Sequence, residues 1–218
     1  MKKETSVRAV SVSKQIAFTA LFAALCCVCT MFTKIPLLNG YFHAGDAFVI
    51  LAGWFLGPLY GAVAAGLGSA LADVFLSYAS FAPYTFFIKA CDAIVAWAIW
   101  YLLKKCIKSR KLDMIPRVIS ALAGEVVVCL GYFLVEIFMF DFSYAITELV
   151  TINLPQALVG FVCALLLIAA LYNIKYVRNF FPAMCPEPKA VKEKSEEPAS
   201  AEIATTENPA SEADEKKE

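Results

Sequence analysis

The sequence has few charged residues and a single histidine, and both shortages exclude functions. Only 17% of the 218 residues are charged and 60% are apolar, whereas a soluble domain usually carries about 25% charged residues. His43 alone cannot supply the two histidines of a zinc-protease HExxH motif, or the second histidine that a prenyl-type protease needs. We therefore expect neither an ordinary soluble domain nor an intramembrane metalloprotease, and we expect no metal.

The sequence also lacks a Walker A motif and paired CxxC motifs. Without a Walker A motif, any use of ATP must take place in a partner protein. Eight cysteines are present, but their spacing does not suit a zinc site, and most lie in apolar runs where a small side chain packs well. We expect no enzymatic activity, no cofactor and no nucleic-acid partner.

Long apolar blocks dominate what the sequence does contain. A helix that spans a bilayer needs about 20 predominantly apolar residues, and five blocks approach this length. A sixth, shorter run ends at Gly57-Pro58. We predict an all-α protein of the lipid bilayer with six transmembrane helices, the second one short, at residues 15–33, 46–56, 60–76, 83–103, 117–139 and 149–172.

The distribution of basic residues predicts how these helices are oriented. Lysine and arginine are enriched in cytoplasmic loops. They cluster before the first span, between the fourth and fifth spans, and after the last, whereas the other loops contain almost none. Six crossings place all three basic segments on one side of the membrane. We therefore predict a protein of the cytoplasmic membrane with both termini in the cytoplasm, and we predict that residues 46–56 cross.

Three regions follow from this pattern. Residues 1–14 form a cytoplasmic N-terminus, and residues 15–176 form the six-helix membrane domain. Residues 183–218 are rich in Glu, Lys, Ala, Ser and Pro, a composition that cannot bury enough apolar surface to offset the entropy of ordering. We expect this last region to be a disordered acidic tail in the cytoplasm.

Polar residues inside the predicted spans indicate a binding site. Ionisable groups in a span are costly and usually face the bundle interior or a water-filled site. The predicted topology brings seven polar side chains to one level near the outer surface, and Tyr84 lies among the aromatic residues of the neighbouring loops. A small polar-aromatic ligand needs such a mixture of donors, acceptors and rings. The predicted substrate-binding residues are His43, Asp46, Asp73, Tyr84, Lys89, Glu136, Asn153 and Gln156.

Structural roles remain open for several of these residues. Asp46 can cap the short second helix, and Lys89 can pair with Asp92 one helical turn away. Asn153 can cap a helix start before the next proline, and the aromatic residues can form an interfacial belt. Glu125 lies deeper in the membrane and is interpreted as a packing residue or an interhelical hydrogen-bond partner.

Four stretches of the sequence resemble the substrate-binding S components of energy-coupling-factor (ECF) transporters. No single stretch is specific, but the combination is, and the similarity covers about residues 14–172. The stretches are GYFHAGDAFVILAGWFLGPLYGA at residues 40–62, GSALAD at 68–73, YTFFIK at 84–89 and NLPQALVG at 153–160.

The resemblance implies a fold, a function and partners. Such proteins have six helices and bind a vitamin or vitamin precursor from outside with high affinity, beneath the first, third and fifth loops. They associate with a transmembrane coupling protein and two ATPase subunits, and the alanine-rich face of the first helix, with Ala20 and Ala24, resembles the docking surface. The stretches are most similar to members assigned to hydroxymethylpyrimidine (a thiamin precursor), pyridoxine-like or riboflavin substrates.

A self-sufficient, ion-coupled secondary transporter of a small polar solute is the alternative function. Lys89 and Asp92 within a span can serve proton coupling. Such transporters are usually larger and contain inverted repeats, and no convincing repeat is present in this sequence.

Overall fold

Helices account for most of the chain that the structure describes. The computed structural model describes residues 12–37, 40–107, 112–172, 174, 177 and 181. Most of the predicted N-terminal region 1–14 and the whole predicted tail 183–218 lie outside these residues, so both remain predictions. The elements in chain order are α1 Val12–Phe32, β1 Ile35–Pro36, β2 Tyr41–Phe42, α2 Asp46–Phe75, α3 Ala82–Cys106, α4 Met114–Met139, α5 Phe142–Glu148, a π-helix Leu149–Asn153 and α6 Leu154–Tyr172.

Five helical stretches in the described chain are long and apolar enough to cross a membrane. They are α1, α2, α3, α4 and the continuous stretch Phe142–Leu171. Their outward surfaces carry many exposed large apolar side chains, among them Phe87, Leu134 and Leu158, as expected where lipid rather than water surrounds the helices. The prediction of a multi-pass helical membrane protein is confirmed, while the orientation of its termini stays a prediction.

Helix α2 folds back on itself at Gly57. This glycine has φ 82° and ψ −173°, a conformation that is essentially restricted to glycine. A Cβ atom built on Gly61 would lie 2.7 Å from the carbonyl oxygen of Ala52, although residues nine apart in a straight helix are separated by about 13 Å. The two halves of α2 therefore pack closely, at the Gly57-Pro58 break that the sequence indicates. The count of six crossings, which requires residues 46–56 to pass through the bilayer, stays a prediction.

The first half of α2 occupies the centre of the bundle. Val49, Ile50, Leu51 and Trp54 are at most 2% exposed, and α2 packs against α1, α3 and α6. Close helix approach depends on glycine here, since a Cβ atom on Gly53 would overlap the backbone of α3. This segment therefore serves as the core around which the longer helices are arranged.

One end of the bundle differs from its predicted form. Residues 35–36 and 41–42 form an antiparallel hairpin, with Ile35 paired to Phe42, where the sequence indicated only a loop. The expected loop before the last span is helix α5, whose first turn is capped by the Asp141 carboxylate accepting a hydrogen bond from the Tyr144 backbone N–H at 2.8 Å. These two elements, and the turn between α2 and α3, surround the cavity described below.

The opposite end of the bundle is held by a buried arginine. The guanidinium of Arg117 on α4 lies 5.2 Å from the ring centroids of both Trp54 and Trp100. Its Nε donates to the Asp113 carboxylate at 3.3 Å, and Lys104 at the end of α3 pairs with the same carboxylate. Lys104 and Arg117 therefore lie at the end of α3 remote from Thr85 and Lys89.

Candidate functional site

A cavity opens at the end of the bundle that carries the β-hairpin and α5. It encloses about 490 Å³ of empty space, a volume that includes its open mouth. Side chains from the hairpin, α2, the α2–α3 turn, α3, α4, α5, the π-helix and α6 form its wall. The lining residues are Gly40, Tyr41, His43, Asp73, Tyr78, Phe81, Thr85, Tyr132, Glu136, Tyr144, Glu148, Ile152, Asn153 and Gln156.

Hydrogen bonds between elements fix several side chains in the cavity wall. The Tyr41 hydroxyl of the hairpin donates to the Asp73 carboxylate at the end of α2, and the hydroxyls of Thr85 and Tyr132 lie 3.0 Å apart. The burial of Tyr41 and the neighbouring Asp73 carboxylate raise the pKa of this phenol, so it remains a donor at neutral pH. The side chains are thus held by their neighbours before any ligand is bound.

The π-helix turns polar groups toward the cavity. The nitrogen of Pro155 carries no hydrogen and cannot complete the α-helical bond expected at its position, and the preceding turn is widened into a π-helix, a form that is often found at functional sites. Asn153 lies at its end, and its Nδ2 donates to the Glu136 carboxylate, with distances of 3.3 and 3.5 Å to the two oxygens. The Asn153 side chain therefore bonds across to α4, rather than capping a helix.

The loop between α1 and α2 is held to α6 by a hydrogen bond to the side-chain amide of Gln156. The backbone N–H of His43 donates to Gln156 Oε1 at 3.3 Å, and the backbone N–H of Gly45 donates to His43 Nδ1 at 3.1 Å. Because Nδ1 accepts a hydrogen bond, the ring is neutral and its proton is on Nε2. Burial is the main cause that lowers the pKa of His43 to about 4, and Lys89 also lowers it while Asp46 acts in the opposite direction.

A buried ion pair lies directly beneath the cavity. Lys89 Nζ is 2.5 Å from Asp46 Oδ1, and both side chains are fully buried. Gln156 Nε2 donates to the other oxygen of the same carboxylate at 2.9 Å. Gln156 therefore joins the cavity wall to the ion pair. Asp46 does not cap α2, and Lys89 bonds to Asp46 rather than to Asp92 on its own helix.

The structure brings most, though not all, of the predicted site residues together. Five of them line the cavity, and Asp46 and Lys89 lie one layer below. Tyr84 does not line it, and its side chain is 37% exposed. Ala20 and Ala24 are both exposed on α1, where a partner helix can reach them. The predicted residues in the lining are His43, Asp73, Glu136, Asn153 and Gln156.

The sequence reasoning missed several residues of the cavity wall. Thr85 and Tyr132 carry hydroxyl groups, whose burial inside a membrane costs little free energy. These two residues therefore do not stand out in an apolar span. Tyr144, Glu148 and Ile152 lie on α5 and the π-helix, in a stretch divided between a predicted loop and the start of the last span. The signal that would have revealed α5 is Asp141, an N-cap residue ahead of an amphipathic segment.

The cavity wall is rich in hydrogen-bond acceptors. Its lining includes the carboxyl groups of Asp73, Glu136 and Glu148, and no lysine or arginine of the described residues is part of it. Lys34 lies outside the lining, with its Nζ 5.3 Å from the ring centroid of Tyr41 and 4.9 Å from that of Tyr78. Among the described residues, no group of three or more His, Cys, Asp or Glu side chains is arranged to hold a metal ion.

Comparisons with known proteins identify the family. The chain is 31% identical over 138 residues to a Pyrococcus woesei protein described as an uncharacterized protein in gap 3'region, a match that covers 62% of this chain and 86% of the relative. Residues 11–173 match the sequence model of the family described as ECF-type riboflavin transporter, S component. The match takes in every membrane-spanning helix and every residue of the cavity wall, and the chain therefore belongs to this family of vitamin-uptake transport subunits, which are not enzymes.

Proposed function

We propose that the protein is the substrate-capture subunit of an ECF-type importer and binds a vitamin or vitamin precursor from outside with high affinity. The observation that carries the proposal is the cavity, whose wall contains aromatic rings, carboxylates and two carboxamides. Membership of the S component family supports a binding role without covalent chemistry. In this proposal Asn153 and Glu136 bind the ligand directly, while Asp46 and Lys89 hold Gln156 and the cavity floor in place.

The basic residues of the bundle support an outward-facing cavity. Lys104, Lys105 and Arg117 lie at the end of α3 and the start of α4, opposite to Thr85 and Glu136. Lysine and arginine favour the cytoplasmic side, so the cavity end faces outward in this orientation. The protein then resides in the cytoplasmic membrane with its cavity open to the external medium.

The lining favours an unphosphorylated ring compound with hydrogen-bond donors. Rings such as Tyr41, Tyr78 and Phe81 offer faces for stacking, and three carboxyl groups accept hydrogen bonds. A phosphate ester would bring negative charge next to these carboxyls, without a lysine or arginine among the described residues of the wall to balance it. Hydroxymethylpyrimidine, pyridoxine and riboflavin all meet this requirement, and the description of the matched family favours riboflavin among them.

Energy for release of the ligand inside is proposed to come from partners. A transmembrane coupling protein would dock on the exposed α1 face that includes Ala20 and Ala24, where small side chains permit close helix approach. Two ATPase subunits would then drive reorientation of the loaded protein in the membrane.

Ion-coupled transport without partners is the second candidate function. The observation in its favour is the buried polar cluster around Lys89, where Asp92 and Glu125 have no hydrogen-bond partner in the described part of the chain. Uptake into vesicles separates the two functions, because an S component requires the ATPase subunits and ATP, whereas an ion-coupled transporter needs only the ion gradient.

Ligand identification tests the proposed function. The full-length protein is purified in detergent, co-purifying small molecules are identified by mass spectrometry, and riboflavin, hydroxymethylpyrimidine and pyridoxine are titrated by calorimetry. We expect tight binding of one of these compounds and much weaker binding of its phosphate ester. Asn153→Ala should weaken binding at least tenfold, or by about 1.4 kcal/mol, whereas Thr151→Ala, an exposed position in the same π-helix, should not. No binding of any of the three compounds would count against capture of this vitamin class.

A further inference from the structure

Two carboxyl groups in the middle of the bundle neither line the cavity nor belong to the ion pair. The side chains of Asp92 on α3 and Glu125 on α4 are 0% and 3% exposed. All four of their carboxyl oxygens are buried without a hydrogen-bond partner among the described residues. Neither residue lines the cavity, so a ligand bound there would not complete their hydrogen bonds.

The charges of this region do not balance if every carboxyl is ionised. Asp46, Asp92 and Glu125 supply three carboxyls, and among the described residues Lys89 is the cation that acts on all three. Lys89 is already bonded to Asp46 at 2.5 Å. Ionised Asp92 and Glu125 would leave two uncompensated negative charges inside an apolar bundle, which is far more costly than binding a proton to each.

Glycine residues make room for the two carboxyl groups. A Cβ atom on Gly124 would overlap Asp92 Oδ1, and one on Gly160 would overlap Glu125 Oε1 and lie 2.7 Å from the Asp46 Cβ. Gly124 of α4 therefore provides the space for the Asp92 carboxyl, and Gly160 of α6 provides the space for the Glu125 carboxyl. Such close surroundings exclude the layer of water that an ionised carboxylate requires.

We propose that Asp92 and Glu125 form a buried proton-binding site, in which both carboxyls hold a proton at neutral pH and the interior of the bundle carries no net charge. The bound ligand is the proton itself, and Lys89 with Asp46 is the charged pair that remains. The other titratable groups facing the site are Cys26 on α1, and Cys129 and Tyr132 on α4. The proposal is independent of the ligand that the cavity binds.

Infrared spectroscopy of the full-length protein in lipid nanodiscs tests the proposal. Protonated carboxylic acids have a carbonyl-stretch band well separated from the bands of ionised carboxylates. We expect this acid band at neutral pH, with one component lost in Asp92→Asn, another in Glu125→Gln, and both in the double variant. The matched control is Asp141→Asn, which changes an exposed carboxylate that caps α5 and should leave the acid band unchanged.

Two results would overturn the proposal. The first is the absence of an acid band in the wild-type protein, a measurement that needs no variant to fold. The second is an acid band that keeps its full intensity in the Asp92→Asn, Glu125→Gln double variant, since the protons would then reside on other groups such as Glu136. In this second case the double variant would instead lose intensity in the carboxylate region, because the two groups were ionised in the wild-type protein.

Discussion

At the scale of single residues, the ion pair between Lys89 and Asp46 is expected to depend on both of its partners. Lys89→Met leaves the Asp46 carboxylate buried without a cation, which typically costs about 3–5 kcal/mol. Replacing both residues, as in Lys89→Met with Asp46→Leu, removes the isolated charge and should recover most of that loss. The free energy of unfolding in detergent measures both effects.

Lys105→Met changes an exposed lysine and is the control for this ion pair. Its free energy of unfolding should change by at most about 0.5 kcal/mol. If the double variant were as unstable as Lys89→Met alone, the cost would lie in packing rather than in the uncompensated charge.

The low pKa of His43 leads to a prediction about pH. The folded protein holds this ring neutral down to about pH 4, whereas a histidine in the unfolded chain takes up a proton below about pH 6.5. The contribution of the neutral His43 ring to the free energy of unfolding is therefore complete above about pH 6.5. It is lost as the pH falls toward 4, by about 3 kcal/mol in total. His43→Gln should remove this part of the pH dependence.

Unfolding midpoints of both proteins at about pH 7.5 and about pH 4.5 check the prediction. Carboxylates contribute to both proteins alike, so the difference between wild type and variant isolates the histidine. The wild type should lose more stability on acidification than the variant. An equal loss would show that His43 titrates as an exposed histidine does.

The site residues that could be predicted from the sequence are those whose side chains have a high free-energy cost inside a membrane. Asp73, Glu136 and Gln156 stand out because ionisable and carboxamide groups in a span require a reason. Thr85 and Tyr132 do not, because a hydroxyl can be accommodated in a span at little cost. The pairing of Lys89 with Asp46 could not be read from sequence spacing, since it joins residues on different helices.

At the scale of elements, the break in α2 is expected to require glycine. At φ 82° and ψ −173° any other residue is strained, so Gly57→Ala should destabilise the protein by about 1–3 kcal/mol. An added Cβ atom would have space, since the nearest atom from elsewhere in the described chain, Trp97 Nε1, would lie at 3.8 Å, an ordinary van der Waals distance. The loss would therefore come from backbone strain.

Leu59→Ala is the matched control for Gly57→Ala, because Leu59 is two residues away and 69% exposed. Thermal unfolding of both variants in the same detergent makes the comparison. A Gly57→Ala variant as stable as Leu59→Ala would mean that α2 can turn back without the glycine conformation.

Helices were predictable from the sequence where length and composition both pointed to a span. The boundaries of α1 and α4 differ from the predicted spans by at most three residues. The β-hairpin could not be foreseen, because its strands have only two residues each and no periodicity to detect. The π-helix depends on Pro155 acting within a continuous helix, whereas proline in a sequence more often indicates a helix start or end.

At the scale of the whole molecule, the α1 face that includes Ala20 and Ala24 should be needed for uptake but not for capture. Replacing both alanines by leucine fills the surface where a partner helix would approach. We expect ligand affinity in detergent to stay within about twofold, and ATP-dependent uptake in vesicles with the partner subunits to fall at least tenfold.

The control for this surface is Ala170→Leu, which adds the same volume at an exposed position on α6. It should support uptake at the wild-type rate. Equal uptake by the Ala20→Leu, Ala24→Leu variant and the control would place the docking surface on another helix.

The burial of the first half of α2 has a consequence for the response of the protein to membrane thickness. Residues 46–56 rise only about 17 Å, against a hydrocarbon core of about 30 Å. A lipid-facing helix this short would impose a severe hydrophobic mismatch, but protein surrounds this one. Thicker or thinner bilayers therefore act on the outer helices through tilt, while the segment that carries Asp46 is insulated from lipid chain length.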